Sequence, residues 1–182
     1  MKVDKNQDRT YSVEPYNPEW ITKFEATKRF LESVFGEQAI MIEHVGSTAI
    51  PNMKAKPVID VLVVVGKMQQ FADEKEKMGP VGYEWIENYI APNTLLFYKD
   101  EKSSNQRFEN IHICEKDSAS VSQFLNIRDF LRLNHEWAEK YSTLKEKLQT
   151  KYQNDYVAYR EGKQNFLNQL RILVNVWKED NE

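Results

Sequence analysis

The sequence predicts an α+β fold, and three observations carry that prediction. Two neighbouring segments, "AIMIEHV" and "PVIDVLVVV", are dense in β-branched residues. Three more strand-like segments, "GYEWIE", "TLLFYKD" and "RFENIHICE", follow before residue 118, separated by turn-forming residues. From Ser118 onward the apolar period becomes helical, so strands come early and helices late.

Each element has its own signal. In "YNPEW", Asn17 suits a helix N-cap and Pro18 the first helical position. Trp20, Phe24, Leu31 and Phe35 then share one apolar face, and Gly36 is a stop. The two β-branched segments follow as strands, and "KMQQFADEKEKMG" reads as a short amphipathic helix ending at Gly79. After the three later strands, Phe124, Ile127, Phe130 and Leu131 mark a helix. Asn134 can cap a second, carrying Trp137, Tyr141, Leu144 and Leu148. Asn154 or Asp155 can cap a third, with Tyr159, Phe166, Leu170, Leu173 and Val174 on its apolar side.

The 182 residues fit one domain, 1–182, with a helical C-terminal part over about 118–178. A composition 12% aromatic and 29% charged is that of a folded chain. Net charge is −3, so no global basic field draws in extended nucleic acid or an anionic membrane. The lone cysteine, Cys114, excludes an internal disulfide and a cysteine-based zinc site. No apolar run approaches a membrane span of roughly 20 residues, and "MKVDKNQDRT" lacks a signal-peptide core. The expected location is the cytoplasm.

Chemistry concentrates in "EHVGSTAIPNMKAKPVIDVLVVV", residues 43–65. In "HVGST" a glycine and two hydroxyl residues close a strand. Such a turn offers amide N–H groups and the Ser47 and Thr48 hydroxyls to a phosphate, although Gly-Ser-Thr turns are also common as plain structure. Asp60 stands inside a run that otherwise reads as buried, where a charge is costly unless hydrogen-bonded, protonated or cation-bound. Alternation puts Asp60 with Val58, Leu62 and Val64, opposite Ile59, Val61 and Val63. A place at a solvated sheet end is the structural alternative for Asp60.

A helix, a strand ending in Gly-Ser and a second strand bearing a carboxylate resemble the nucleotidyltransferase superfamily. More closely, "EHVGSTAIP", "AKPVIDVLV", "NIHICE", "RDFLR" and "YREGKQNFL" resemble the GrpB family of that superfamily, from about Val13 to Leu170. The resemblance implies a nucleotidyltransferase-like mixed sheet flanked by helices. It also implies Gly46 and Ser47 as a phosphate-binding turn and Asp60 as a ligand of Mg²⁺ or Mn²⁺, hard cations that prefer oxygen. The implied reaction is metal-dependent transfer of a nucleotidyl group. The alternative is a catalytically inactive nucleotide- or phosphoester-binding module, linked by association to coenzyme A metabolism.

Further candidates surround this centre. Lys56 is a point charge for phosphate or a solvated loop lysine. His112, on a strand face with Asn110 and Cys114, is a metal ligand, phosphate donor or general base, or else a hydrogen-bonded structural histidine. His44, just before the turn, would complete an Asp60–His112–His44 cluster. Arg128 and Arg132 lie within a helical turn of each other beside Asp129, suited to gripping phosphate or to pairing with that aspartate. Gly162 inside a helical stretch hints at a close approach, and Lys163 beside it reads as solvated. The chain departs from the active superfamily pattern at Leu62, where a second carboxylate belongs, and Glu109 falls on the wrong parity to replace it.

Overall fold

The structure, a computed structural model, describes residues 9–179. The predicted span 1–182 and the "MKVDKNQDRT" segment run beyond the described residues. Asn17 caps the first helix as expected: its Oδ1 accepts from Glu19 N–H at 2.9 Å, and Pro18 already has helical φ and ψ. The helix, α1, runs Glu19–Phe35, and Gly36 (φ +52°) lets the chain leave it. Strands β1 (Ala39–Val45) and β2 (Ile59–Val65) follow. The next helix, α2, is shorter than the amphipathic pattern, Ala72–Met78, because Phe71 takes a left-handed conformation before it. It passes Gly79 into a 3₁₀ turn that ends at Gly82 (φ +97°). Strands β3 (Glu84–Glu87), β4 (Thr94–Glu101) and β5 (Gln106–Glu115) complete the sheet.

The five strands lie in the order β1-β2-β5-β4-β3. Only β2 and β5 pair in parallel; the other three pairings are antiparallel, so the sheet is mixed. The parallel register sets Asp60 beside Asn110, Leu62 beside His112 and Val64 beside Cys114. One face packs on α1: Trp20, Phe24, Leu31 and Phe35 meet Val61, Val63, Phe97, Ile111 and Ile113. Leu31, Val61, Val63, Phe97 and both isoleucines are wholly inaccessible to solvent. The other face meets the C-terminal helices through Val45, Leu62, Val64, Cys114 and Val121.

Those helices are α3 (Ala119–Leu133), α4 (His135–Lys151), α5 (Tyr156–Gly162) and α6 (Gln164–Glu179). Asn134 takes the N-cap position of α4 as expected, its carbonyl accepting from Trp137 N–H at 3.0 Å, but its side-chain amide donates back to Phe130 O at 2.8 Å and closes α3. Of the two candidates for the next cap it is Asp155 that acts, accepting from Ala158 N–H at 2.9 Å. The single helix expected beyond it is two, broken at Lys163. A Cβ on Gly162 would come within 2.5 Å of Leu148 Cδ2, so glycine lets this bend press against α4. Ile50, Met53, Phe130, Leu131, Tyr141, Leu170 and Val174 form the core between α3, α4, α6 and the loop after β1. No described helix is long and apolar enough to cross a membrane.

Candidate phosphate site at the Gly46–Ser47 turn

Strand β1 ends against the face of β2 that carries Asp60. Gly46 turns the chain there with φ +71°, and a Cβ at that position would sit 2.4 Å from Asp60 Oδ2. Backbone and carboxylate are therefore in direct contact, and no side chain fits between them. Ser47–Ala49 then form a 3₁₀ turn. Helices pin the loop that follows: Arg132 donates from Nε and Nη2 to Ala49 O at 3.0 and 2.9 Å, and Ser142 Oγ accepts from Lys54 N–H at 3.1 Å.

Asp60 is partly exposed, with 26% of its side chain accessible. Its Oδ1 accepts from Asn110 Nδ2 at 2.7 Å, and His112 Nε2 stands 3.7 Å away, an ion-pair distance but not a hydrogen bond. Asn110 is held from behind, its Oδ1 accepting from Arg107 Nη1 at 2.8 Å, while Arg107 also pairs with Asp100. Burial acts to raise the Asp60 carboxyl, but His112, Asn110 and the charge on Lys56 outweigh it and hold the group below its ordinary value. His112 itself packs on Phe124, ring centroids 4.7 Å apart.

Three lysines from distant parts of the chain gather here. Lys145, on α4, is almost fully buried; its Nζ donates to Ser47 Oγ at 3.1 Å and to Lys54 O, and lies 4.6 Å from the centroid of the Tyr141 ring. Lys56 Nζ donates to Tyr156 OH at 2.7 Å. Lys163, where α5 gives way to α6, lies over the Tyr159 ring at 4.6 Å. Burial, then the neighbouring charge of Lys56, lowers the Lys163 ammonium to about 7, with Asp60 opposing. Burial, then Lys163 and Lys56, depresses Lys145 well below the ordinary lysine range. Among the described residues neither Lys56 nor Lys163 has a carboxylate salt bridge. Beside the turn opens a largely apolar cavity of about 530 Å³, walled by Gly46, Ser47, Ile50, Phe124, Ile127 and Arg171 among others.

The sequence candidates are thus sorted by position. Gly46, Ser47, Asp60, His112 and Lys56 come together. His44 does not: it pairs with Val61, points to the α1 face and stacks on Phe24, centroids 4.7 Å apart. Thr48 is buried and donates to Val58 O at 3.1 Å, so His44 Nε2 must be the donor in its 3.0 Å contact with Thr48 Oγ1. Thr48 therefore serves the fold with its hydroxyl. Arg128 is spent on Glu43 (2.6 Å), His44 O (3.2 Å) and Asp129 (2.7 Å), and Arg132 on Ala49 O. Both arginines brace the turn, and Arg128 also lines the cavity beside it. Glu109 has the parity expected of it: it faces α1 and accepts from Thr27 and Tyr83.

Sequence reasoning passed over Lys145, Asn110 and Arg107 and took Lys163 for a solvated residue. Lys145 had a readable signal, since it follows Leu144 and lies four residues from Tyr141 on the apolar stripe of α4.

The donor set does not fit a divalent metal held by the protein. Mg²⁺ asks for oxygen ligands in octahedral geometry. Here the Asp60 carboxylate has Leu62 on one side and the N–H of Asn110 on the other, with ammonium groups close by. Among the described residues no group of three His, Cys, Asp or Glu is placed to hold a metal ion.

Fold and site together describe an α+β domain whose strand carboxylate is covered by a Gly-Ser turn, with one buried lysine, Lys145, and two half-buried ones, Lys56 and Lys163, nearby. The GrpB protein family matches residues 10–171, and the chain belongs to that family. It is similar to the UPF0157 protein YqkA of Bacillus subtilis, 33% identical over 90% of this chain and 47% of that one. The chain thus spans about half the length of that relative. The crystal structure of GrpB from Enterococcus faecalis superposes with a TM-score of 0.84, at 27% identity, over 91% of this chain and 99% of that one. A partial match, 28% identical over 53% of this chain and 24% of the other, is to a dephospho-CoA kinase of Mycolicibacterium paratuberculosis.

Proposed function

We propose that this chain binds a nucleotide or another phosphorylated small molecule at the Gly46–Ser47 turn, as a cytoplasmic protein. The observation that carries the reading is Lys145 on Ser47 Oγ, with Lys56 and Lys163 acting on the Asp60 that touches Gly46, next to an open apolar cavity. Lys145 donates to Ser47 Oγ, which leaves the serine hydroxyl proton free for an anionic oxygen. Phosphates sit toward Lys56 and Lys163, and the organic part enters the cavity. The partial likeness to a dephospho-CoA kinase supports nucleotides and coenzyme A precursors as the first compounds to try.

A thermal-shift screen of nucleoside triphosphates, coenzyme A precursors and sugar phosphates tests the reading. A ligand at about 100 times its Kd adds about 2.7 kcal/mol, a rise of roughly 5–10 °C for a chain of this size. If every phosphorylated compound leaves the transition unmoved, the reading fails.

Nucleotidyl transfer is the second reading, and the ionised Asp60 beside His112 favours it. In that reading Mg²⁺ or Mn²⁺ arrives with the phosphates, and Asp60 contributes one ligand to it. Release of pyrophosphate from a bound triphosphate is the measurement that supports it, and intact ligand after long incubation counts against it.

A further inference from the structure

We infer that Lys56 and Lys163, with Lys145 behind Ser47, supply the counter-charge for a bound di- or triphosphate, so that this site holds its ligand without a divalent cation. The inference rests on the phosphate-binding reading above and specifies its chemistry.

Two observations carry it. The first is the state of the one carboxylate. Asp60 Oδ1 already accepts from Asn110 at 2.7 Å, and Oδ2 lies against the Gly46 backbone. The two positions that could extend a metal platform across β2 and β5 hold Leu62, wholly buried, and Asn110, whose oxygen is turned to Arg107. A cation there would face an N–H donor instead of a second oxygen.

The second observation is the charge around that carboxylate. Lys56 is close enough to lower the Asp60 carboxyl, and Asp60 acts on Lys163 in the opposite sense. Lys56 and Lys163 each act on Lys145. Lys56 and Lys163 thus act on this one carboxylate while Lys145 stands behind Ser47, an excess of basic groups that favours a polyanion, whose charge draws protons onto them, over a divalent cation. Lys56 and Lys163 rest on aromatic groups, Tyr156 and Tyr159, so their heads are positioned without a carboxylate partner among the described residues. Asp60 then serves as a counter-ion to these lysines and competes with the phosphates.

That role gives the two chemistries opposite signs at one residue. The experiment is isothermal titration of the full chain with pyrophosphate and with ATP, in chelator and in excess Mg²⁺, for wild type, Asp60→Asn, Lys56→Met and Lys163→Met. The expected result is binding in chelator with a Kd within about threefold of that in Mg²⁺, under half a power of ten. Each lysine variant should weaken it by about tenfold, the loss of one charge-assisted contact. Asp60→Asn should bind as well as wild type or more tightly.

Binding that appears only with Mg²⁺ and vanishes in Asp60→Asn overturns the inference while leaving the phosphate site intact. Absence of binding under both conditions overturns the phosphate site and the inference with it. Near-ultraviolet circular dichroism checks that each variant is folded. The lysine variants keep the question decidable if Asp60→Asn is not folded: unchanged affinity in both overturns the inference.

Discussion

The two faces of the sheet carry polar groups of the same kinds and use them differently. On the α1 face, Glu109 is bound by Thr27 and Tyr83, and His44 by Thr48 and the Phe24 ring. Each polar group there is closed by partners brought within reach by α1, the β1 turn or the neighbouring strands. On the opposite face Asp60 has one firm hydrogen bond, and Lys56 and Lys163 lean on aromatic groups with no carboxylate paired to them among the described residues. A carboxylate or an imidazole is therefore not functional by type. What separates the faces is whether the fold supplies all the partners a group needs or leaves valences for something else.

Substitutions on the two faces should part company, and the largest effect belongs to the closed one. Leu31→Ala removes a wholly buried side chain from the α1 face and is expected to cost about 3–4 kcal/mol in urea unfolding. Phosphate affinity should stay unchanged, because Leu31 belongs to the α1-face core, of which Gly46, Ser47 and Asp60 are not part. Gly46→Ala should cost about 2–3 kcal/mol, from the positive φ and the collision with Asp60. Unlike Leu31→Ala it should also abolish binding; a variant that unfolds early yet binds normally would break the comparison at the turn.

Acid should find the closed face next. Burial lowers His44 from 6.5 to about 4, with Arg132 and Arg128 adding to the effect and Asp60 opposing it. The unfolded chain thus takes up a proton that the folded chain refuses. The His44 contribution is complete above about pH 6.5, declines as pH falls toward 4 and is level below that, on the order of 3 kcal/mol in total. Stability measured against pH should be flatter in His44→Phe than in wild type by that amount. A slope that does not change removes His44 from the account.

On the open face pH should act on binding in the other direction. Lys163 is charged below about 7, pushed down by burial and then by Lys56 and Arg160 while Asp60 pulls it up. A bound phosphate favours the charged form, so affinity should fall as pH rises through 7, by at most about tenfold per unit. Lys163→Met should lose that dependence. The smallest effect is at the surface: Glu146→Gln removes the exposed pair with Lys54 and should move stability by under about 0.5 kcal/mol.

What was legible in the sequence follows the same division. The five strands, the first helix and the alternation on β2 and β5 are local patterns, and β-branched runs and parity expose them directly. Gly46, Ser47 and Asp60 also stood out, because a hydroxyl turn and a lone charge in an apolar strand are local anomalies. The rest depended on contacts between distant segments. Arg128 and Arg132 have the chemistry to grip phosphate, but β1 and its turn present Glu43, His44 O and Ala49 O to them first. Lys163 looks solvated along the chain because nothing nearby announces that Gly162 folds it back toward Tyr159 and Lys56. The break between α5 and α6 was hidden for the same reason, since apolar period continues across it.

The parallel pairing of β2 with β5 has a kinetic consequence. The hydrogen bond from Asn110 to Asp60 spans 50 positions of chain, with α2, β3 and β4 lying between its two residues. The antiparallel ladders join chain neighbours and close shorter loops, so they gain contacts earlier in the search for the native state. The contacts that place the lysines span more chain still, 98 positions from Lys145 to Ser47 and 100 from Lys56 to Tyr156. Recovery of phosphate binding during refolding should therefore trail recovery of helical signal, since it waits on these long-range contacts.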